Sequence, residues 1–367
     1  MIAPVELPRG GVRGNFHQLE VSEIQRVAED AVAVTFEAPR GLRDVFQFRA
    51  GQHLTLRFDL GDGEQRRSYS ICSPAPHGPL RVGVRRLAGG LVSTHIHDNL
   101  RVGELVDVMP PAGSFTLAEG PSLGRLVALA AGSGITPVLP LVATALRSDP
   151  EAEFTVVYSN RSVGSAMFLD ELADLKDRWP ARVQLVHLFS REPQTVTARN
   201  GRLDRARLTQ LVQELGRPQA VSTWYLCGPL GMVGNAQQVL GEAGIPPERI
   251  KRELFFVEDE PPVRSAAEAV ELARPGEVTV RARLNGRETT FITRRDVALV
   301  DGLAAVREDA PFSCKGGVCA TCRARLVEGR VVMDHTYALD ARDREQGFVL
   351  TCQAHPLTDQ IVLDYDA

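Results

Sequence analysis

Four cysteines near the C-terminus constrain the fold more than any other feature of this sequence. They follow the pattern Cys314-x4-Cys319-x2-Cys322, and 29 residues separate Cys322 from Cys352. Three thiols in one short loop and a fourth from a distant segment are the ligand spacing of a plant-type [2Fe–2S] cluster. The sequence therefore predicts a compact C-terminal domain built around this cluster, with all four cysteines as ligands.

Other metal sites fit this spacing less well. Structural zinc usually takes paired C-x2-C knuckles, and only Cys319 and Cys322 form such a pair. A [4Fe–4S] cluster would require a C-x2-C-x2-C run, which the sequence lacks. Gly316 and Gly317 lie in the loop, and we expect both to adopt backbone conformations closed to other residues, so that the loop can wrap around the cluster.

The length and charge of the chain limit its class. Its 367 residues are too many for one ordinary core, which predicts two or three domains. A net charge of −4 is too small to favour nucleic acid as a partner. No stretch approaches the length of a membrane span, and the N-terminus lacks the apolar region of a signal peptide. We therefore expect a cytoplasmic protein without a membrane partner.

Two changes of pattern divide the chain. Short alternating runs, broken by Gly and Pro up to about Thr116, predict an antiparallel β-barrel. Apolar strands that alternate with helical stretches then predict an α/β domain with a parallel sheet covered on both faces. The cysteine-rich end is predicted to be a small α+β domain. The predicted boundaries are a flexible tail at 1–13, the barrel at 14–120, the α/β domain at 121–257, a linker at 258–275 and the small domain at 276–367.

The barrel contains the segment RRSYSICS, which resembles the R-x-Y-S motif of the ferredoxin–NADP reductase family. The resemblance implies that Arg67 pairs with a flavin phosphate, Tyr69 packs on the isoalloxazine ring and Ser70 bonds near the flavin N5. Gly90 and Ser93 match the family's G-x-x-S phosphate loop, where a helix beginning near Ser93 would direct free amides at the pyrophosphate. The family uses FAD more than FMN, so we expect FAD.

The first strand of the α/β domain ends in AAGSGITP, which resembles the nucleotide-phosphate turn of the same family. Glycines there allow backbone amides to approach a pyrophosphate at a helix N-terminus. The resemblance implies nucleotide contacts from Gly132, Ser133, Gly134, Thr136 and Pro137.

A later strand ends in YLCGPLGM, another motif of this family. The resemblance implies that Cys227, Gly228 and Pro229 lie beside the nicotinamide, with Cys227 next to the path of hydride transfer. Glu253 and Phe255 stand where relatives have an acidic and an aromatic residue near the flavin. Cys227 and Glu253 thus join Ser70 of the barrel as the candidate catalytic residues.

The choice between NADPH and NADH depends on the end of the third strand. An NADH site would favour a carboxylate that accepts from the ribose hydroxyls, whereas Ser190 and Arg191 stand here. They resemble the Ser-Arg pair that holds the 2′-phosphate in NADP-dependent members, and Asn160 and Arg161 would add to that pocket. The sequence favours NADPH; the alternative is that these arginines are solvated surface residues.

From about Asn15 onward, the chain resembles the reductase subunits of phenylacetyl-CoA epoxidases, as in PFSCKGGVCATCRARLVEG and VLTCQAHPLTDQIVLDYD. This implies a C-terminal β-grasp ferredoxin domain and electron flow from NADPH through FAD and the [2Fe–2S] cluster to a separate, di-iron oxygenase component. Reductases of steroid-hydroxylating or Rieske ring-hydroxylating oxygenases, and a general diaphorase, remain alternatives. A redox-sensing protein without catalysis is disfavoured because both the flavin and nucleotide motifs are intact. We expect the loop 314–322 to lie near a solvent-facing rim and the linker to allow movement.

Overall fold

The computed structural model describes residues 16–61, 63–118, 120, 122–196, 199–255 and 264–367. The predicted tail 1–13 and residues 258–263 of the predicted linker lie outside these ranges. None of the helices within them combines the length and the apolar character that crossing a membrane requires.

The N-terminal region forms an antiparallel barrel. Its strands are β1 (His17–Ala28), β2 (Ala31–Glu37), β3 (His53–Asp59), β4 (Glu64–Ser70), β5 (Leu80–Arg85) and β6 (Leu105–Val108). They pair in the order β4-β3-β6-β1-β2-β5. A bridge between Ile71 and Val82 brings the two ends of this order together, so the sheet curves toward closure. Alternating apolar side chains fill the interior, among them Leu19, Leu54 and Val108, which are fully buried.

The middle region is a parallel sheet between two layers of helices. Its strands are β7 (Arg125–Ala131), β8 (Glu153–Asn160), β9 (Val183–Phe189), β10 (Thr223–Gly228) and β11 (Ile250–Leu254), in the order β11-β10-β7-β8-β9. Helix α1 (Leu91–Asp98) belongs to the barrel, and α2 (Ile135–Ser148), α3 (Leu169–Arg178), α4 (Arg205–Glu214) and α5 (Leu230–Glu242) belong here. Alternate residues of β7 enter two cores, Leu126 with α2 and Val127 with α5, as expected for a sheet buried on both faces.

The C-terminal region is a small mixed sheet. Its strands are β12 (Glu277–Leu284), β13 (Arg287–Arg294), β14 (Arg323–Glu328), β15 (Val331–Met333), β16 (Phe348–Leu350), β17 (Ala354–Pro356) and β18 (Gln360–Asp364), and its helices are α7 (Leu299–Ala304) and α8 (Ala341–Glu345). The order β13-β12-β18-β14-β16 pairs β12 with β18 in parallel, while β15 and β17 form a separate ribbon. The three predicted fold types are therefore confirmed. Helix α6 (Ala266–Leu272) occupies part of the predicted linker.

Two glycines allow the start of α2 to approach both neighbouring sheets. A Cβ atom at Gly134 would lie 2.2 Å from the carbonyl oxygen of Cys227 in β10. A Cβ atom at Gly83, in the barrel strand β5, would lie 2.6 Å from the methyl group of Thr136. Any larger side chain at either position would push α2 away from the strand ends, so these glycines set the distance between the barrel, the helix and the parallel sheet.

A Gly134→Ala variant should therefore be less stable than the native protein by about 1–3 kcal/mol, because the added methyl group overlaps backbone that cannot rotate away. Gly241→Ala is the matched control, since Gly241 lies within α5 with open space around it. That change should be neutral or stabilise by about 0.5–1 kcal/mol. Denaturant midpoints measure both, and equal midpoints for the two variants would contradict the packing argument.

Candidate active site

All three regions of the chain line one pocket. The barrel contributes residues of both flavin motifs, the parallel sheet contributes the ends of two strands, and the C-terminal region contributes the cysteine loop. Among the lining residues are Arg67, Tyr69, Ser70, Gly90, Ser93, Ser133, Glu253, Phe255, Cys314 and Cys319. Candidate residues far apart in sequence are thus brought to one cavity, with the cysteine loop beside the flavin motifs.

The R-x-Y-S segment forms the end of β4. Alternate residues of a strand share a face, so Arg67 and Tyr69 lie together. The exposed guanidinium of Arg67 donates to the carbonyl of Arg66 at 2.7 Å and has no ion-pair partner among the described residues. This guanidinium is available to a phosphate, which Arg binds well. Burial raises the pKa of the Tyr69 hydroxyl, so this ring stays neutral.

The G-x-x-S segment begins helix α1. Gly90 is the residue before the first turn, and the helix starts at Leu91, two residues earlier than predicted. The Ser93 hydroxyl accepts from the Leu87 amide at 3.1 Å and donates to the Gly90 carbonyl at 3.2 Å. Ser93 therefore holds the loop, while the amides of the first helical turn are the groups that can bind an anion.

A cluster of four polar side chains links the barrel to the end of the parallel sheet. Ser70 donates to Glu253 Oε2 at 3.4 Å, and His53 Nδ1 lies 3.9 Å from Glu253 Oε1. Cys227 is the register partner of Glu253 in the neighbouring strand and is fully buried. The three predicted catalytic residues, Ser70, Cys227 and Glu253, are thus brought together, and His53 joins them.

Burial determines the charge state of this cluster. It raises the pKa of Glu253 to about 8, lowers the pKa of His53 to about 4 and raises that of Cys227. Near neutral pH these shifts leave all three groups uncharged, so the contact between His53 and Glu253 is not an ion pair. His53 Nε2 is buried without a hydrogen-bond partner among the described residues, and His53 lines the pocket. A polar group of a bound ring system could satisfy this nitrogen.

The phosphate turn of the parallel sheet leads into α2. Gly132 has a φ of +56°, a left-handed conformation that favours glycine. The Thr136 hydroxyl donates to the Ser133 carbonyl at 2.9 Å, and Pro137 is buried in the first turn of the helix. Pro229 precedes α5 directly, after Gly228 at the end of β10. The two predicted nucleotide motifs therefore meet at the carboxyl ends of adjacent strands, as ligand sites of parallel sheets do.

The residues predicted to choose between NADPH and NADH also lie together. The backbone amide of Arg191 donates to the carbonyl of Arg161 at 2.8 Å. The backbone amide of Ser190 donates to the carbonyl of Asn160 at 3.0 Å. Their side chains differ in availability. Arg161 is paired with Asp30 of the barrel at 2.6 Å, whereas Arg191 is exposed and has no ion-pair partner among the described residues. Of these two arginines, Arg191 is therefore the one whose charge is available to a ligand.

The four clustered cysteines form two pairs of thiols. Cys314 contacts Cys319, and Cys322 contacts Cys352. Within the described ranges, no three His, Cys, Asp or Glu side chains are arranged so that they could hold one metal ion together. Two pairs of thiolates fit a cluster with two irons, each held by two cysteines, better than a single zinc ion held by four.

The loop around these thiols differs in one respect from expectation. Gly317 has a φ of +74°, as predicted, but Gly316 does not take a left-handed φ, so that expectation is wrong. The other left-handed positions of the loop are Lys315 and Ala320, with φ of +49° and +54°. The Gly316 amide donates to Cys314 Sγ at 3.4 Å, so Gly316 contributes a hydrogen bond to a ligand sulfur.

The cysteine loop has two sides. On one side, Lys315 is exposed, with 51% of its side chain accessible, and pairs with Asp301. That the whole loop lies near a solvent-facing rim stays a prediction. Cys314, Val318 and Cys319 instead line the shared pocket. Cys322 and Cys352 are buried. The thiols nearest the flavin motifs are therefore the first pair.

Two further site residues belong to no motif of the sequence. His53 stands on the same face of β3 as Thr55 and Arg57, opposite the apolar Leu54 and Leu56, so the alternation predicts a solvent-facing side chain and gives no signal for its burial. Arg252 in β11 donates to the carbonyl of Leu339 at 3.3 Å and so joins the parallel sheet to the C-terminal region. A contact such as this one, between two segments far apart in the chain, leaves no local pattern in the sequence.

Comparison with known proteins supports each region separately. Models of an oxidoreductase FAD-binding domain, an oxidoreductase NAD-binding domain and a 2Fe-2S iron-sulfur cluster binding domain match residues 18–117, 128–238 and 282–357, respectively. The phthalate dioxygenase reductase structure, described as modular for electron transfer from pyridine nucleotides to [2Fe–2S], aligns with a TM-score of 0.58 at 24% identity. It covers 95% of this chain and 98% of that one, so it shares the fold.

Two relatives match along nearly their full length. A component of the 1,2-phenylacetyl-CoA epoxidase from Escherichia coli (strain K12) is 37% identical over 96% of this chain and 98% of its own. The ferredoxin reductase component of 3-ketosteroid-9-alpha-monooxygenase from Rhodococcus rhodochrous is 32% identical over 98% of this chain and 99% of its own. The chain is therefore an oxidoreductase that belongs to the family of oxygenase reductase components combining FAD-binding, NAD-binding and [2Fe–2S] domains.

Proposed function

We propose that this protein is the NADPH-dependent reductase component of a phenylacetyl-CoA epoxidase and delivers electrons to a separate di-iron oxygenase in the cytoplasm. The observation that carries the proposal is the pocket in which Ser70, Glu253, Cys314 and Cys319 meet. When bound, FAD accepts an electron pair as hydride from NADPH and releases single electrons, which is the form that the [2Fe–2S] cluster takes. The proposal divides the chain at the boundaries predicted above, 14–120, 121–257 and 276–367.

The chain's own residues have separate tasks in this proposal. Arg67 and the first turn of α1, with its Gly90–Ser93 loop, bind the FAD phosphates, and Tyr69 packs against the ring. The turns at Gly132–Pro137 and Cys227–Pro229 bind and orient NADPH. Cys314, Cys319, Cys322 and Cys352 hold the cluster. These tasks are supported by the exposed guanidinium of Arg67, which has no ion-pair partner among the described residues, and by the two pairs of thiols.

Ser70, Cys227 and Glu253 act where hydride passes between the nucleotide and the flavin. Their cluster keeps the reaction site uncharged near neutral pH, since burial raises the pKa of Glu253 to about 8. Hydride transfer brings negative charge into this pocket. A neutral carboxyl group beside it does not oppose that charge, whereas an ionised carboxylate would.

Flavin reduction by NADPH should therefore slow as the pH rises through about 8, because Glu253 then ionises. Glu253→Gln keeps a neutral hydrogen-bonding group, so this variant should reduce flavin at pH 7 at close to the native rate and lose the decline above pH 8. Anaerobic stopped-flow absorbance measures both. Glu242→Gln on the surface of α5 is the control and should keep the native profile. A decline of native size in Glu253→Gln would contradict this assignment.

The nucleotide specificity is proposed to depend on Arg191. Its exposed guanidinium has no ion-pair partner among the described residues, and one oxygen of the neighbouring Glu192 accepts from the Val163 amide at 2.8 Å. Thus a cation is available to a 2′-phosphate.

Arg191→Ala should raise the KM for NADPH about ten- to a hundredfold, since a hydrogen bond to a charged group contributes about 1.5–3 kcal/mol. The KM for NADH should stay near its native value. Arg205→Ala, which removes an exposed arginine of α4 paired with Glu242, is the matched control. An equal loss with both nucleotides would show that Arg191 supports the fold or the common ADP moiety instead.

A second candidate acceptor is a steroid monooxygenase. The Rhodococcus relative covers this chain as fully as the epoxidase component does, at 32% against 37% identity. A terminal acceptor leaves no motif in the pocket of its donor, so the same site serves either oxygenase. The distinction must come from turnover with each oxygenase.

Reconstitution tests the proposed partner. This protein, NADPH, O2, phenylacetyl-CoA and the oxygenase component should together form the ring epoxide, detected by chromatography and mass spectrometry. Cys319→Ser should reduce its flavin normally yet yield no product, because only the cluster step is lost. If cytochrome c is reduced readily but no epoxide forms, the partner assignment is wrong and the steroid oxygenase is tried next. If Cys319→Ser also fails to reduce flavin, the separation of the two steps is wrong.

A further inference from the structure

Arg66 in β4 is a charged residue in an unusual place. It is 5% exposed, and arginine is rarely buried to this degree unless it is paired. Its Nε contacts Glu64 Oε1 at 2.6 Å within the same strand. A single carboxylate uses only part of the guanidinium, which carries five N–H donors in a planar fork. The remaining donors point out of the barrel.

Those donors reach the C-terminal region, more than 240 positions away in the sequence. Nη1 donates to the carbonyl of Ala310 at 2.8 Å, and Nη2 donates to the carbonyl of Glu308 at 3.3 Å. The guanidinium also lies over the ring of Phe312, 3.9 Å from its centroid. Hydrogen bonds and a cation–π contact therefore attach one side chain of the barrel to the segment that leads into the cysteine loop.

The next residue on the same face of β4 extends this attachment. The Ser68 hydroxyl donates to the Ser313 hydroxyl at 2.8 Å, and Ser313 is followed directly by the cluster ligand Cys314. Arg67 and Tyr69 alternate with these residues along the strand. One short strand thus carries the flavin-motif residues Arg67 and Tyr69 at one set of positions, and at the other set Ser70 and the two residues that contact the segment of the cysteine loop.

We propose that Arg66 is a positioning residue that holds the cysteine loop against the flavin pocket and thereby sets the rate at which electrons pass from flavin to cluster. The two adjacent arginines of β4 then have different partners, Arg67 the flavin phosphate and Arg66 the ferredoxin-like region. This inference rests on the proposed order of electron flow. It assigns Arg66 no part in hydride transfer, because none of its contacts belongs to the flavin or nucleotide motifs; they are Phe16, Glu64, Glu308, Ala310 and Phe312.

The test compares Arg66→Ala and Arg66→Lys with the native holoenzyme. Anaerobic stopped-flow absorbance follows flavin reduction by NADPH, and rapid-freeze EPR follows the reduced cluster. In Arg66→Ala, flavin reduction should keep its native rate, whereas cluster reduction should slow about tenfold. Arg66→Lys should be intermediate, because an ammonium group keeps the charge but cannot span both carbonyls. Hydrogen–deuterium exchange at residues 308–313 should become faster in both variants, a change that does not depend on activity.

Arg86→Ala is the matched control. Arg86 follows β5 of the same barrel, is half exposed and pairs with Asp98 at 2.7 Å. This variant should keep native rates for both steps and native exchange at residues 308–313. Iron and flavin contents are measured for every variant, so that a slow step is not caused by a missing cofactor.

Three results would overturn the inference. They are native cluster reduction in both Arg66 variants, equal slowing of flavin and cluster reduction, and unchanged exchange at residues 308–313. If Arg66→Ala does not fold or loses flavin, Arg66→Lys decides alone: slowed cluster reduction with native flavin reduction supports the inference, and a native rate refutes it. If the native protein reduces its flavin but never its cluster, the order of electron flow fails, independently of Arg66.

Discussion

The contact of Ser70 with Glu253 is the interaction on which the arrangement of this molecule depends. Ser70 ends a barrel strand and Glu253 lies in the last strand of the parallel sheet, so their hydrogen bond joins two independently built regions. The contact is largely buried, with 14% of the Glu253 side chain exposed, and this burial raises the pKa of Glu253. A neutral carboxyl group can remain between two sheets at little cost, whereas an unpaired carboxylate could not.

Close approach of backbone makes this junction possible. The start of α2 lies against β10 and β5 because Gly134 and Gly83 have no side chain to keep them apart. The phosphate turn of the parallel sheet therefore opens beside the barrel, and Cys227 lies directly behind it. Hydride transfer needs two bound groups in contact, and rigid strand ends hold such groups more accurately than mobile loops do.

The cysteine loop completes the pocket through contacts of another kind. The C-terminal region is attached by polar and cation–π contacts from Arg66 and Ser68 on the barrel side. On the side of the parallel sheet, Arg252 donates to Leu339, and Val318 and Tyr337 pack against an apolar core. Interfaces of this composition resemble those between separate proteins more than a continuous core. The first pair of thiols, Cys314 and Cys319, faces the pocket, while Lys315 remains exposed to solvent.

The sequence by itself determined the fold types and the motifs of the site, because each depends on local chemistry. The spacing of the cysteines identifies the type of cluster, and the pattern of apolar residues along the strands separates a barrel from a parallel sheet. Each of these signals lies within a few tens of residues of sequence. The same reasoning was wrong about the backbone of Gly316, which was expected to be left-handed. The left-handed positions in the loop depend on how the chain closes around the thiols. Only the tertiary structure could pair Arg161 with Asp30, bury His53 beside Glu253 and attach Arg66 to the cysteine loop. Those contacts join segments from different sheets, and no periodicity or spacing within one segment records which distant residue will lie against it.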